Sequence, residues 1–349
     1  MNRVVRASWL LVCSLLWLWP TSARADSEQV VDVQLRPGVA SRVHVQVREN
    51  SRSRGHCVGP TLAFVHGLAH SAASFEPLVA EIFASGRRGL ACKALLIDLP
   101  GHGQSPSPSG LTFGELLVDD YVTAVIGALD GLRSRGLRPN ALIGHSMGGL
   151  VVEGVQARLI ASGSSLARRY GILFAALMSP SPAAEHPWQF AESGAAAATV
   201  SAFVVPDAAR GLVVRVDPAT WSFFFFTNFS DQFNPATPTP ELIAAAGWNA
   251  DEAAFAGSQL VGAPPFPRFS VGAAPFALRR GTLLALINPS QDKFSLRAEA
   301  EAAYVQLTGD TRKRWFVPVD DEFAVHDMHV AEPRKYLRLA FSGWLESIW

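Results

Sequence analysis

The stretch Gly144–Gly149, with the sequence GHSMGG, constrains the fold of this chain more than any other. Residues 140–143 before it have the composition of a short buried strand, and residues 150–160 after it carry apolar side chains at helical spacing. The predicted order is therefore strand, tight turn, helix. A turn this sharp needs glycine beside it and holds the Ser146 hydroxyl out at the carboxyl end of a parallel strand. We interpret the stretch as a G-x-S-x-G nucleophile elbow.

Strands and helices alternate along most of the chain. Residues 30–35 and 42–47 alternate between apolar and polar side chains around Pro37-Gly38, which predicts an antiparallel hairpin at a sheet edge. Further buried strands are expected at residues 62–65, 95–99, 172–178, 282–287 and 315–319. This alternation is typical of the α/β class with a mostly parallel, doubly wound sheet.

Composition and charge limit the classes of protein. With 349 residues, 49% of them hydrophobic and 17% charged, the chain can bury a large core, either as one α/β domain with an insertion or as two modest domains. The 30 basic and 30 acidic residues balance, and no basic run occurs. We therefore expect neither a nucleic-acid partner nor binding to an anionic membrane surface.

The first 25 residues have the pattern of a signal peptide. Residues 1–6 are basic, residues 9–19 are apolar but short for a membrane span, and Ala23-Arg24-Ala25 is an A-x-A cleavage site. The alternative is an uncleaved N-terminal anchor. We expect cleavage near Ala25, export to the periplasm or the medium, and no stable membrane insertion after the signal is removed.

Two cysteines stay in the mature chain. Cys57 and Cys92 each stand a few residues ahead of a predicted strand. If those strands are parallel neighbours, both thiols lie at the same end of the sheet, and an oxidising compartment would join them in a disulfide. The alternative is two unrelated buried thiols.

Three motifs together carry a resemblance to a known superfamily. Val65-His66-Gly67 resembles the HG turn of the α/β-hydrolase fold, Asp98–Ser105 resembles its D-x-P-G-x-G-x-S loop, and Gly144–Gly148 resembles its elbow. The chain is similar to esterase- and lipase-like serine hydrolases with an inserted cap. The resemblance implies an eight-stranded sheet with a helical cap after the sixth strand. The core would comprise residues 26–180 and 281–349, and the cap residues 181–280.

A serine nucleophile needs a general base and a carboxylate that orients the base. In this fold they follow the serine in the order acid, then histidine. Asp292 is the first carboxylate after the strand at 282–287, and the seven-residue spacing from His326 to Pro333 resembles the family's G-H-x-x-x-x-x-x-P pattern, with Val325 in place of Gly. We predict a catalytic triad of Ser146, Asp292 and His326.

Rivals for two of these roles stay open. Asp310 and Glu185 are the other acid candidates, and His329 is the other base. We expect no metal site at His326 and His329, because no Cys or acidic pair at ligand spacing completes one.

The oxyanion needs preorganised hydrogen-bond donors. The family pattern implies the backbone N–H groups of Leu68 and Met147. The remaining histidines near the motifs are expected to shape turns rather than take part in chemistry. They are His66, His70, His102 and His145.

The predicted cap is rich in Trp and Phe. Some of these rings must form its own core, but Phe223, Phe224, Phe225 and Phe226 follow one another and cannot all face one way. We expect part of this run, with Trp221, to line an apolar substrate pocket.

The sequence thus predicts an exported serine hydrolase that cleaves a small apolar carboxylic ester or lactone without a cofactor. A C–C bond hydrolase, a cofactor-free perhydrolase and a ligand-binding protein with a low-turnover triad are the alternatives. Epoxide hydrolases and haloalkane dehalogenases have a similar cap, but use Asp where this chain has Ser146. No oligomeric state follows from the sequence.

We predict that Cys57 and Cys92 are bridged in exported protein. Closing a loop of about 36 residues should stabilise the fold by ~3–4 kcal/mol in the chain-entropy model. Thiol titration of unreduced, denatured protein should find no free cysteine. Two titrated thiols would contradict the prediction.

Overall fold

The fold was analysed in a computed structural model. It describes residues 27–50, 59–85, 91–111, 115–186, 204–207, 211–215, 251–253, 259–260, 267–292, 294 and 296–347. The predicted signal peptide and Cys57 lie outside the described residues, so export and the disulfide to Cys92 stay predictions. Within the described residues, no helix combines the length and the apolar character needed to cross a bilayer.

An eight-stranded sheet organises the described residues. The strands in chain order are β1 (Ser27–Arg36), β2 (Val39–Glu49), β3 (Thr61–Val65), β4 (Lys93–Ile97), β5 (Ala141–His145), β6 (Phe174–Met178), β7 (Val204–Asp207), β8 (Gly211–Arg215), β9 (Asp251–Ala253), β10 (Leu283–Pro289) and β11 (Phe316–Val319). The main sheet has the order β1-β2-β4-β3-β5-β6-β10-β11. The β1–β2 hairpin and its contact with β4 are antiparallel, and every other pairing is parallel. The predicted eight-stranded, mostly parallel sheet is confirmed.

Helices cover both faces of this sheet. They are α1 (Glu76–Ala84), α2 (Val118–Ser134), α3 (Met147–Ala161), α4 (Leu166–Tyr170), α5 (Arg297–Thr308), α6 (Met328–Ala331), α7 (Pro333–Tyr336) and α8 (Ser342–Ser347). A 3-10 turn at Ala72–Phe75 precedes α1, a second lies at Leu278–Arg280, and a π-helical turn at Leu337–Phe341 joins α7 to α8.

The strands divide their side chains between two cores. Ala63 and Val65 of β3 pack on one face with α2 and α3, whereas Leu62 and Phe64 pack on the other face with α1 and the C-terminal helices. All four side chains are fully buried. This double burial explains why the central strands are almost continuously apolar.

The segment after β6 departs from the expected helical cap. Its described residues include β7, β8 and β9, which form an antiparallel sheet in that order. The helical expectation did not include these strands. The valines of β7 and β8 explain the difference, because β-branched side chains favour strands. The expected pocket residues Trp221, Phe223, Phe224, Phe225 and Phe226 lie outside the described residues, and the 181–280 cap boundaries stay a prediction.

The two ends of this insertion meet beside the sheet. The Ala184 amide donates to the Phe269 carbonyl at 2.8 Å, and the Arg268 guanidinium donates to the Ala184 carbonyl at 3.1 Å. The Glu185 carboxylate accepts from the amides of Val271 and Gly272. The insertion therefore leaves and re-enters the core at one place.

Candidate active site

Ser146 lies at a strained turn between β5 and α3. Its φ of 52° and ψ of −122° fall in a region that non-glycine residues rarely adopt. A side chain added at Gly144 would overlap the Gly148 carbonyl, and one added at Gly148 would overlap the Val65 carbonyl of β3. The Ser146 amide donates to Met178 O at 2.9 Å, which ties the turn to the end of β6. The predicted strand, turn and helix are all present.

The structure brings the predicted acid and base together. His326 Nδ1 lies 3.0 Å from both carboxylate oxygens of Asp292. Asp292 follows the end of β10, and its Oδ1 also accepts the Phe294 amide at 2.8 Å. Both predicted residues are buried, with 1% of Asp292 and 4% of His326 exposed. The His326 imidazole is thus shielded from water and oriented by the Asp292 carboxylate, as a general base requires.

Two opposing effects act on the pKa of His326. Burial disfavours its charged form, but the negative charge of Asp292, its hydrogen bond to the ring and the charge of Asp327 outweigh that cost. The pKa of His326 is therefore raised above its ordinary value. A raised pKa strengthens the imidazole as a proton acceptor.

His145 connects the elbow to the loop that carries the base. Its ring lies against the His326 ring, with centroids 4.8 Å apart, and its Nε2 lies 3.2 Å from the His326 carbonyl oxygen. Ser146 follows directly and is 8% exposed. The three predicted triad residues therefore lie on adjoining loops at the carboxyl edge of β5, β10 and β11. Their catalytic roles stay predictions.

The rival residues occupy other environments. Asp310 accepts hydrogen bonds from the backbone amides of Arg312 and Arg314 and from the Arg314 side chain, all in the loop after α5. Glu185 caps the amides at the other end of the insertion. His329 is buried, but neither of its ring nitrogens makes a hydrogen bond. Among the described residues, only Asp292 hydrogen-bonds the His326 ring with a carboxylate.

The predicted oxyanion donors belong to the start of α3 and to the loop after β3. Met147 is the first residue of α3, where backbone N–H groups have no partner within the helix. Leu68 belongs to the loop after β3. In that loop Gly67 is packed so closely that an added Cβ would lie 2.8 Å from Ser146 Cβ. This placement agrees with the predicted role without testing it.

The Asp98 loop is held by buried hydrogen bonds. The Asp98 carboxylate accepts the amides of Ala72 at 2.7 Å and Gln104 at 3.1 Å. His66 Nε2 accepts the Leu99 amide at 3.0 Å. Burial, with a further contribution from neighbouring His102, lowers the pKa of His66 to about 3. His66 is therefore a neutral residue that joins two loops, in keeping with the expected structural role.

A second buried group was not predicted. His70 Nε2 lies 2.9 Å from Asp327 Oδ2, and His145 Nε2 lies 3.5 Å from Asp327 Oδ1. No acidic residue is paired with His70 or His145 by local spacing in the sequence. The available signal was a second carboxylate directly after the predicted base. One nitrogen or oxygen atom from each of these three residues lies within 4.8 Å of the corresponding atoms of the other two.

Comparison with known proteins gives one family match and many similar structures. Residues 62–338 match the model of a family described as "Alpha/beta hydrolase family". A protein of Mycobacterium phage D29, named as a candidate non-heme haloperoxidase, is 34% identical over 101 residues. That stretch covers 29% of this chain and 32% of the phage protein, so the match spans about a third of that relative's length.

Two solved structures illustrate the fold similarity. A thermophilic esterase from Thermogutta terrifontis is 15% identical, with a TM-score of 0.54, and the match covers 92% of this chain and 99% of the esterase. The N-acyl homoserine lactonase AidH is also 15% identical, with a TM-score of 0.53, and the match covers 92% of this chain and 96% of that protein. At these identities the similarity concerns the fold alone.

We predict that His326 and His329 respond differently to substitution. His326→Ala should lower kcat by at least ~10⁴-fold, because members of a triad act as a unit. His329→Leu should keep most of the activity. It also removes two buried ring nitrogens without partners, which cost ~1–3 kcal/mol when left unsatisfied, so its melting temperature should stay the same or rise. Ester hydrolysis and thermal melts measure both effects. The reverse ranking in kcat would move the base to His329.

Proposed function

Since the chain belongs to the alpha/beta hydrolase family, we propose that it is an exported serine hydrolase that cleaves an apolar carboxylic ester or lactone. The observation that carries this proposal is the buried His326–Asp292 pair beside the strained turn of Ser146. A strained serine next to an oriented, desolvated imidazole is the arrangement that acyl transfer needs.

The proposed reaction has two steps. Ser146 Oγ attacks the acyl carbon while His326 Nε2 takes the hydroxyl proton. The amides of Leu68 and Met147 stabilise the negative oxygen of the tetrahedral intermediate. The bond between the acyl carbon and the alcohol oxygen then breaks, His326 returns the proton to the alcohol, and an acyl-enzyme remains. In the second step, water attacks the acyl carbon, His326 takes a proton from that water, and Ser146 regains it as the acid leaves.

Asp292 has a defined part in this cycle. Its carboxylate accepts from Nδ1 of His326, so Nε2 is the nitrogen that faces the reaction. Its charge also stabilises the imidazolium that forms when the serine is deprotonated. Asp292 therefore needs no proton of its own during the reaction.

The substrate class rests on the insertion. Trp221 and the run Phe223–Phe226 lie in the predicted cap and would supply apolar walls. A lactonase and an esterase are among the proteins of similar fold. We propose on these grounds that the substrate is a linear ester or a lactone with an apolar acyl group.

The proposed location is outside the cytoplasm. Residues 1–25 supply the support, with a basic start, a short apolar stretch and an A-x-A site. N-terminal sequencing of protein from the culture medium or periplasm should begin at Asp26.

The proposed reaction is tested by covalent labelling and turnover. Wild-type protein should react with a fluorophosphonate probe and hydrolyse p-nitrophenyl esters, whereas Ser146→Ala should do neither and still melt at a similar temperature. A Ser146→Ala variant within tenfold of wild-type activity would remove the serine from the mechanism. Labelling without turnover of any ester or lactone would favour the binding-protein alternative. Peracid formation from acetate and hydrogen peroxide would favour the perhydrolase.

We also predict that acyl length separates pocket rings from cap-core rings. Phe223, Phe224, Phe225 and Phe226 are changed singly to Ala, and kcat/KM is measured from acetate to dodecanoate esters. In at least one variant, kcat/KM should fall more for long esters than for acetate, because apolar contact is worth about 25 cal/mol per Å² buried. Equal losses on every ester in all four variants would show that the run is cap core.

A further inference from the structure

One buried carboxylate connects the three loops that carry the proposed machinery. Asp327 directly follows the base His326, His145 directly precedes Ser146, and His70 lies two residues after the oxyanion residue Leu68. The Asp327, His145 and His70 side chains are fully buried. Side chains from the base loop, the elbow and the oxyanion loop therefore converge at one point.

His70 joins the oxyanion loop to the base loop. Its Nδ1 lies 2.8 Å from the Leu68 carbonyl oxygen, and its Nε2 lies 2.9 Å from Asp327 Oδ2. Both neighbouring atoms are hydrogen-bond acceptors, and the ring lies between them. Leu68, whose backbone N–H is the proposed oxyanion donor, is thereby connected through its carbonyl group and His70 to Asp327.

His145 joins the elbow to the same carboxylate. Its Nε2 lies 3.2 Å from the His326 carbonyl oxygen and 3.5 Å from Asp327 Oδ1. With a proton on Nε2, a neutral ring donates to the His326 carbonyl, while Asp327 Oδ1 stays within electrostatic contact of the same nitrogen. Burial, together with the charges of His329 and His326, lowers the pKa of His145 well below its ordinary value, so the ring is neutral.

Asp327 is an anion in this setting. Burial opposes its ionisation, but the contacts with His70 and His145 outweigh burial and lower its pKa. A buried carboxylate left without partners would be strongly destabilising, and His70 supplies the hydrogen bond that stabilises this charge. A charged Asp327 in turn acts on His326, the next residue along the chain.

We propose that His70, Asp327 and His145 form a positioning network that fixes the base loop and the oxyanion loop against the elbow. This proposal rests on the proposed serine hydrolase mechanism. The three residues act through Leu68, His326 and Ser146. One nitrogen or oxygen atom from each of the three residues also has the spacing of a metal site, so the test includes a metal analysis.

The test compares variants that break or keep the His70–Asp327 hydrogen bond. His70→Leu should lower kcat by about 10–100-fold, because small displacements of catalytic groups cost that much. KM should change little, since the network does not contact substrate. His70→Gln places an amide donor near the former Nε2 and should recover most of kcat. His329→Leu is the matched control, a buried histidine of the same region outside the network.

Asp327→Asn adds a readout that packing alone would not move. Among the residues that the structure describes, the titratable groups facing His326 are Asp292, Asp327, His145 and His329. Removing the Asp327 charge takes away stabilisation of protonated His326, so its pKa should fall. The acid limb of the kcat/KM profile should therefore move to lower pH, because the base then stays neutral in more acidic solution.

The same pKa is measurable without turnover. Histidine NMR titration, with the His326 signal identified by its loss in His326→Ala, should show a lower His326 pKa in Asp327→Asn than in wild type. A wild-type protein that neither reacts with the fluorophosphonate probe nor hydrolyses esters would refute the proposed reaction. The titration would still test whether Asp327 influences His326. If Asp327→Asn does not fold, the comparison of His70→Leu with His70→Gln tests the network instead. The comparison uses kcat, or the NMR titration of His326 if the protein shows no turnover.

Three results would overturn the network. The first is a wild-type kcat and pH profile in both His70→Leu and Asp327→Asn. The second is equal losses in His70→Gln and His70→Leu, which would show that the ring acts only through packing. The third is one equivalent of a transition metal in purified protein that His70→Leu no longer retains, which would make the three residues ligands.

Discussion

The close contact between the elbow and β3 is the constraint on which the rest of the site depends. Gly148 lies so near the Val65 and His66 carbonyls that a side chain there would overlap them. This contact sets α3 directly on the sheet and leaves Ser146 no relaxed conformation. Strain of this kind costs about 1–3 kcal/mol. The fully buried side chains of α3, such as Leu150 and Val151, offset it.

Buried carboxylates are the second recurring feature of the carboxyl edge of the sheet. Asp98, Asp292 and Asp327 are each at most 1% exposed, and each is met by a histidine or by backbone amides. Burying a charge is costly unless it is paired and hydrogen-bonded. These pairings make the loops rigid, and a rigid edge holds groups in the geometry that catalysis needs.

Much of this architecture was predictable because it depends on local patterns. The elbow follows from glycines around one serine, and the sheet follows from strands that alternate with helices. Asp292 and His326 were reached through chain order and the family resemblance. The His70–Asp327 hydrogen bond was not, because its partners lie 257 residues apart and no local spacing relates them. The strands of the insertion were missed because its many Pro, Ala and Phe residues hide short valine pairs such as those of β7 and β8.

The joined ends of the insertion have an evolutionary consequence. Since Ala184 and Phe269 are hydrogen-bonded neighbours, the chain between them leaves the core and returns to it at the same position. A segment with adjacent ends is free to lengthen, shorten or be exchanged while the sheet keeps its register. Descendants of such a scaffold inherit the chemistry of the edge and diverge in the inserted segment. Selection can therefore act on substrate choice and on reactivity as two separate traits.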